Sequence, residues 1–177
     1  MSRHEDWGTP QWLFDLLHAE FRFQLDVCAT ADNAKVPTFY SPEDDGLLQR
    51  WHGPAWMNPP YARSELTRWL TKAVEESHHT TVVGLIPAWT SAAYWHECVL
   101  QYASEIRFID GRVPFIGPRK SNGRRGSFSP PFSSVVVVWQ PNRAALRVGP
   151  SIVVPSTRRG ANASQHRLFT LATARRS

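Results

Sequence analysis

Alternating and continuous apolar segments predict that strands and helices follow one another along the chain. Residues 23–27 alternate in polarity, Ala55-Trp56-Met57 is apolar throughout, and residues 80–86 contain no charge. Alternation is typical of a half-buried strand, and short apolar segments are typical of strands buried on both faces. Leucine and tryptophan at helical spacing predict helices near 10–20 and 64–74. This order predicts an α/β fold, with a mostly parallel sheet and helices on both faces.

Local signals set the expected ends of these elements. Thr9 is a favourable N-cap and Pro10 a favourable first helical residue, and Ser64 can cap the second helix. Two prolines follow Asn58 and end the second strand, because proline donates no backbone hydrogen bond and fixes φ. We therefore expect Asn58 at the carboxyl end of a strand, the edge where open α/β sheets bind ligands.

The final third of the chain has a different pattern. Residues 112–115 and 133–139 read as strands joined by a Gly/Arg-rich loop at 118–129, which predicts an antiparallel hairpin at the sheet edge. Other elements are expected at 39–40 (short strand), 92–102 (helix), 105–109 (strand), and 145–148 with 152–154 (strand pair). Residues 31–53 are rich in turn formers, so we expect a loop region that lines a site.

Length and composition predict one domain over residues 1–154 and a basic, flexible tail over 155–177. Ser, Thr, Ala, Gly and Arg dominate the tail, and such segments bury too little apolar area to pay for ordering. A short helix is expected within the tail near 168–174.

Charge is distributed unevenly along the chain. Residues 1–110 hold all fifteen Asp and Glu with eight Lys and Arg, which gives a net charge of −7. Residues 111–177 hold the other twelve Lys and Arg and no acid, which gives +12. A basic third attached to an acidic body predicts a polyanion partner, because neutralised phosphates release counterions. The alternative is a solvated basic tail without a partner.

Several other classes of protein do not fit the composition. Cys28 and Cys98 form no CxxC pair, and the seven histidines lack metal-ligand spacing, so neither a disulfide framework nor a metal site is expected. The longest apolar segment, 135–139, is too short to span a membrane, and the first residues are too charged for a signal peptide. We expect a soluble, cytoplasmic protein with no membrane partner.

The tetrapeptide Asn58-Pro59-Pro60-Tyr61 indicates a specific chemistry. The Asn58 side-chain oxygen and the Pro59 carbonyl can both accept hydrogen bonds from one exocyclic amino group, and Tyr61 can stack on a planar base. Two acceptors stabilise the positive charge that grows on an attacking aromatic amine. The motif thus predicts a site for adenine, cytosine or a carboxamide; the alternative is a plain turn.

Asp26 ends the first strand and is expected near the same sheet edge. A carboxylate there suits a ribose hydroxyl or an ammonium group, although a helix cap or a salt bridge would use the same residue. No Gly-x-Gly motif follows it, so a nucleotide ligand without phosphates, S-adenosylmethionine, fits better. Asp45 is either a ligand contact or part of a solvated loop. The neighbours of Cys28 favour packing over a nucleophilic role.

Taken in order, short segments of the chain resemble the phage-type DNA N6-adenine methyltransferase family over about residues 6–139. The matching segments are Trp7-Gly8-Thr9-Pro10, 25–30 (LDVCAT), 32–35 (DNAK), 45–47 (DGL), Trp51, Asn58-Pro59-Pro60-Tyr61, 85–87 (LIP), 95–97 (WHE), 105–108 (EIRF), Gly111-Arg112 and Pro131-Phe132. Two features differ from the family pattern: Trp89 stands where an arginine is expected, and the cofactor region has no glycine loop.

The resemblance implies a Rossmann-like methyltransferase sheet with one reversed edge strand, and a role for each matched segment. The cofactor motifs it implies are Trp7, Thr9 and Pro10 near the amino terminus, Asp26, Cys28 and Ala29 at the first strand, and Asp45 near the cofactor's adenine. Asn58, Pro59, Pro60 and Tyr61 would be the catalytic motif. This order resembles the γ arrangement of amino-methyltransferases.

We therefore expect an S-adenosylmethionine-dependent enzyme that methylates N6 of adenine in DNA, with the base flipped into a pocket formed by residues 58–61. The residues expected to contact DNA phosphates or grooves are Arg112, Arg119, Lys120, Arg124 and Arg125. The alternatives are methylation of a protein glutamine, methylation of DNA cytosine N4, and a catalytically silent DNA-binding relative.

Overall fold

The computed structural model describes residues 7–119, 123–143 and 145–155, without the side chains of residues 118 and 119. The helices are α1 (Gln11–Phe21), α2 (Arg63–Glu76) and a π-helix (Trp95–Leu100). The strands are β1 (Leu25–Asp26), β2 (Ala55–Met57), β3 (Val82–Pro87), β4 (Glu105–Asp110), β5 (Phe115–Arg119), β6 (Arg125–Phe128), β7 (Ser134–Trp139), β8 (Arg147–Val148) and β9 (Ile152–Val153).

Seven of these strands form one mixed sheet in the order β1-β2-β3-β7-β4-β8, with β9 also paired to β4. β1, β2 and β3 are mutually parallel, and β4 pairs in parallel with β8 and β9. β5 and β6 form a separate antiparallel hairpin. The predicted α/β class, with its mostly parallel sheet and antiparallel hairpin, is confirmed.

The reversed strand β7 lies inside the sheet, between β3 and β4, and not at an edge. It was expected from the sequence to be the second arm of the hairpin, but that arm is β6, within the segment expected to be a loop. All six residues of β7 are buried. A valine-rich strand without charge is most stable where it has a hydrogen-bonded neighbour on each side and a packed layer on each face, which explains its interior place.

The two faces of the sheet carry separate cores, and helices cover both. Val82 and Ile86 of β3 face the layer of α2 and the π-helix, whereas Val83 and Leu85 face the layer of α1. Successive side chains alternate between faces, so one apolar strand serves both cores. At Gly84 an added Cβ would lie 2.8 Å from Met57 Cε and 3.1 Å from Trp139 Cζ3, so an alanine here would require these two buried side chains to move.

Two expected helix starts and one expected strand pairing are wrong. Thr9 does not cap α1: the N-cap is Pro10, whose ψ of 138° is extended, and the helix begins one residue later. Ser64 lies inside α2, whose N-cap is Ala62. β8 and β9 each pair with β4 and not with one another.

Residues 31–53 form loops with one short strand-like contact, where Phe39 bridges Asp26 in parallel. Of the tail expected at 155–177, only Pro155 lies within the described residues, and the helix expected near 168–174 lies outside them. None of the helices in the described part of the chain is long and apolar enough to cross a membrane.

Candidate active site

Strand β2 delivers Asn58 to the carboxyl edge of the sheet. Its three residues are buried, and Trp56 is in register with Asp26 of the parallel strand β1. The prolines that follow turn the chain away from the sheet. Asn58 and Asp26 therefore lie at the same edge, as the sequence predicted.

The Asn58 side chain is held at both ends of its amide. Its Nδ2 donates to the Trp7 backbone carbonyl at 3.0 Å, and its Oδ1 lies 3.0 Å from the Tyr61 hydroxyl. That hydroxyl is also 3.0 Å from the Leu85 carbonyl oxygen. Burial raises the pKa of Tyr61 well above its ordinary value, so the hydroxyl remains protonated at neutral pH.

One side of Asn58 opens into a cavity of about 390 Å³, which we name the aromatic cavity. Tyr61 packs edge-on against Phe115 and Phe132, and Phe132 packs edge-on against Trp89. The lining residues are Trp7, Asn58, Pro59, Pro60, Tyr61, Ala62, Trp89, Phe115, Phe128, Pro130, Pro131 and Phe132. Rings and prolines of this kind suit a flat, largely apolar ligand with few polar anchors.

A second cavity, of about 330 Å³, lies beyond the end of β1 and is named the strand-end cavity. Its wall includes Val27–Thr30, Asn33, residues 40–42, Asp45–Leu47, Asn58, Pro60, Glu65, Arg68 and Trp69. Asp45 has a left-handed φ of 49°, and its carboxylate accepts from the Leu47 amide at 3.2 Å. A Cβ at Gly46 would lie 2.2 Å from the Val27 carbonyl, so only glycine permits this close approach.

A small void of about 20 Å³ lies next to both cavities, and Trp7, Thr9, Asp26, Cys28 and Asn58 are among its lining residues. Trp7 Nε1, Thr9 Oγ1 and Asp26 Oδ1 are buried without a hydrogen-bond partner among the described residues. Burial raises the pKa of Asp26 to about 6, and the Lys35 amide, which donates to Oδ2 at 3.0 Å, partly opposes that rise. Burial also raises the pKa of the Cys28 thiol, which makes it a poor nucleophile.

The structure groups most of the expected cofactor residues around Asn58. Cys28, Ala29 and Asp45 line the strand-end cavity, and Trp7, Thr9 and Asp26 line the small void. Pro10 lines neither of these and caps α1.

The expected DNA contacts are more scattered. Arg112 and Arg124 are exposed. Arg125 is bound to Asp32, with its Nη2 2.8 Å from the carboxylate and 2.7 Å from the backbone oxygen. The Arg119 side chain and Lys120 lie outside the described part of the structure.

Phe115, Phe128, Phe132 and Trp89, to which no role was assigned from the sequence, supply four of the six rings of the aromatic cavity. The prolines that precede Phe132 and the difference at Trp89 were signals that could have marked two of them. Asn33, Tyr40 and Trp69 of the strand-end cavity were also missed. Among the described residues, no three His, Cys, Asp or Glu side chains could hold a metal ion together.

A mixed Rossmann-like sheet with Asn-Pro-Pro-Tyr at the end of an inner strand defines a methyltransferase-type α/β domain. The chain belongs to the DNA N-6-adenine-methyltransferase (Dam) family, whose model matches residues 1–163.

Two curated relatives are similar to about 60% of this chain. The chain is 39% identical over 116 residues to a DNA N-6-adenine-methyltransferase of Haemophilus phage HP1 (strain HP1c1), covering 62% of this chain and 65% of that protein. It is 34% identical over 109 residues to one of Escherichia phage T1, covering 59% and 44%. The chain thus spans less than two thirds of the length of these relatives.

A solved structure of a predicted O-methyltransferase from Agrobacterium tumefaciens matches with a TM-score of 0.38 and 16% identity, over 71% of this chain and 52% of that chain.

Proposed function

We propose that this protein transfers a methyl group from S-adenosylmethionine to the N6 amino group of adenine in DNA. The observation that carries the proposal is that Asn58 and Pro60 line both the aromatic cavity and the strand-end cavity. A planar base in the first cavity and a methyl donor in the second would meet at the same tetrapeptide. Family membership supports this pairing of substrate and reaction.

The residues at the strand-end cavity and at the small void beside it fit the cofactor. Thr9 Oγ1 and Asp26 Oδ1 are buried oxygens without a partner among the described residues, and a ribose or an amino-acid group offers the donors that such oxygens need. Cys28, Ala29, Asp45 and Gly46 would form the remaining wall. When bound, S-adenosylmethionine supplies a methyl group on a sulfonium centre, which an amine nitrogen can attack.

The protein's part in the reaction is to orient the amine and to stabilise its growing positive charge. Asn58 Oδ1 contacts one described donor, the Tyr61 hydroxyl, and a carbonyl-type oxygen has a second lone pair for the amino group. The Pro59 carbonyl, also at this wall, would be the second acceptor. Asn58 is neutral, so it holds the amine without removing a proton.

The aromatic cavity suits a base that has left the DNA helix. Tyr61, Trp89 and Phe132 would pack against the flipped ring, and the apolar wall would keep water from the reacting nitrogen. The hairpin β5–β6, whose two strands are joined by a basic stretch of sequence, borders this cavity through Phe115 and Phe128. DNA bound along the hairpin would therefore bring an extruded base to Asn58.

The test is to incubate the full chain with unmethylated DNA and cofactor labelled in the methyl group, digest the DNA to nucleosides and identify the methylated base. N6-methyladenine is the expected product. We expect Asn58→Ala to slow transfer by about 100- to 1,000-fold, because one of two acceptors is lost, with little change in cofactor affinity measured by calorimetry. Three other outcomes would contradict the proposal. N4-methylcytosine would indicate a cytosine methyltransferase, and label in protein glutamine would indicate a protein methyltransferase. DNA binding without cofactor binding would indicate a catalytically silent DNA-binding relative.

A further inference from the structure

The two ends of the Asn58 amide have nearly the same shape but opposite hydrogen-bonding character, so something must fix its orientation. The Tyr61 hydroxyl does not, because a hydroxyl can donate or accept. It lies 3.0 Å from both Asn58 Oδ1 and the Leu85 carbonyl, so it could give its proton to either. The Trp7 carbonyl can only accept, and it lies 3.0 Å from Nδ2. Of these contacts, the one to Trp7 discriminates between the two orientations.

We infer that Trp7 is a positioning residue, whose backbone carbonyl selects the amide orientation that leaves the Asn58 oxygen available to the substrate amine. In the flipped orientation Asn58 would present its own NH2 to that amine, which places two donors face to face. This inference rests on the proposed function, because the amine is that of the flipped base.

The hairpin β5–β6 holds Trp7 in this position. Gly8 and Ile116 exchange two backbone hydrogen bonds, of 2.7 and 2.8 Å, so the residue after Trp7 is fixed to β5. The Trp7 ring lies 5.0 Å from the Phe128 ring of β6. The basic residues expected to contact DNA lie in the sequence between and beside the strands of this hairpin. The hairpin therefore links the proposed DNA interface to the orientation of the catalytic amide.

Two glycines of the hairpin form a matched pair for testing this link. A Cβ at Gly117 of β5 would lie 3.0 Å from Cζ3 and 3.3 Å from Cη2 of Trp7. A Cβ at Gly126 of β6 would meet nothing within 4 Å. Neither glycine has a positive φ, so alanine introduces no backbone strain at either position.

We expect Gly117→Ala to displace the indole and lower the single-turnover rate of methyl transfer by about tenfold, since small misplacements near a reacting group are costly. Its dissociation constants for cofactor and DNA should stay within about twofold of wild type. Gly126→Ala should leave the rate unchanged. The effect is then on the chemical step and not on binding.

A double-mutant cycle with Trp7→Phe separates positioning from a general structural role. Phenylalanine lacks the outer ring atoms that an alanine at position 117 would meet, so Gly117→Ala should cause no additional loss of rate in the Trp7→Phe background. An equal loss in both backgrounds would overturn the inference.

Nuclear magnetic resonance gives a readout that does not depend on activity. The Asn58 side-chain NH2 signal, assigned by its disappearance in Asn58→Asp, should shift in Gly117→Ala and stay in place in Gly126→Ala. If wild type methylates no DNA, the proposed function fails, but this signal still tests the positioning. An unmoved signal in Gly117→Ala would refute the role of Trp7 even in an active enzyme.

Discussion

Asp26 is a residue whose acid–base chemistry depends on the fold. It is 2% exposed, and burial raises its pKa to about 6. A carboxyl whose folded pKa exceeds its unfolded value contributes stability below the unfolded pKa, and that contribution is lost as the pH rises through about 6. The free protein at neutral pH therefore keeps a destabilising charge at the sheet edge where we place the cofactor.

The first prediction concerns stability. Because Asp26→Asn removes this charge, we expect it to raise the free energy of unfolding by about 3 kcal/mol at pH 8 and by only about 1 kcal/mol at pH 4.5. Urea unfolding at the two pH values measures the difference. Asp110→Asn, at an exposed carboxylate of β4, is the control and should change little at either pH. A gain that does not depend on pH would contradict the assignment of the charge to Asp26.

The second prediction concerns cofactor affinity. If ionised Asp26 accepts hydrogen bonds from the cofactor, binding should weaken as the pH falls through about 6, by up to about tenfold for each pH unit, because protonation competes with the ligand. Calorimetry of S-adenosylmethionine binding between pH 5 and pH 8 measures this. Asp26→Asn should bind more weakly at pH 8 and lose most of the pH dependence. A variant with the wild-type pH profile would show that another group controls binding.

At the scale of elements, an ion network centred on the buried side chains of Arg107 and Glu105 fastens α1 and β8 to β4. Both Nη atoms of Arg107 donate to Glu20 of α1 at 2.7 Å, and its Nε donates to the buried Glu105. Arg147 of β8 pairs with the same Glu105 carboxylate. The network lies at the far side of β7 from Asn58, so it acts on the fold and not on the site.

The third prediction compares this network with a surface pair. Arg107→Leu removes the buried arginine that neutralises the buried Glu105 carboxylate, which then keeps only Arg147 as a partner. We expect this substitution to lower the free energy of unfolding by about 3 kcal/mol. Arg68→Leu breaks the exposed pair with Glu65, whose N–O distance is 3.3 Å, and should cost less than about 1 kcal/mol. Urea denaturation of both variants at one pH makes the comparison. Similar costs would mean that the buried network contributes no more than the surface pair.

At the scale of the whole molecule, the contrast between acidic body and basic third is partly neutralised by pairing. Arg125 binds Asp32, and Arg147 binds Glu105. Arg125 therefore fastens the hairpin to the loop after β1, a role that competes with the DNA contact expected of it. Residues 119–124, which connect the two strands of the hairpin in sequence, are the part of the basic region that remains our candidate for phosphate contacts.

The fourth prediction tests the role of residues 119–124 in DNA binding by the full chain. The combined substitution Arg119→Gln, Lys120→Gln and Arg124→Gln should weaken DNA binding and reduce the slope of log K against log salt by up to about 2.7, or about 0.9 for each lost phosphate contact. Fluorescence anisotropy at several salt concentrations measures the slope. Arg68→Gln, which removes one positive charge from the acidic part of the chain, is the control and should leave the slope unchanged. An unchanged slope in the triple variant would move the DNA interface away from the hairpin.

Features that depend on neighbouring residues could be predicted from the sequence. The end of β2 at Asn58 follows from two prolines, which remove backbone donors wherever they occur. The buried strand β3 follows from an apolar segment without charge, and the loops of residues 31–53 follow from turn-forming residues. These signals placed the tetrapeptide and Asp26 at one edge of the sheet.

Long-range contacts decided the rest. The position of β7 depends on which strands can bury its two faces, and the local pattern of five apolar residues is the same at an edge or in the interior. Trp7 reaches Asn58 across 51 positions of sequence, and the aromatic cavity draws its rings from five separate segments. The sequence by itself determined which hydrogen-bond acceptors and which aromatic ring Asn58-Pro59-Pro60-Tyr61 can offer, because these groups belong to the residues themselves. Only the tertiary structure decided which way the amide points, because its partners meet only when the chain is folded.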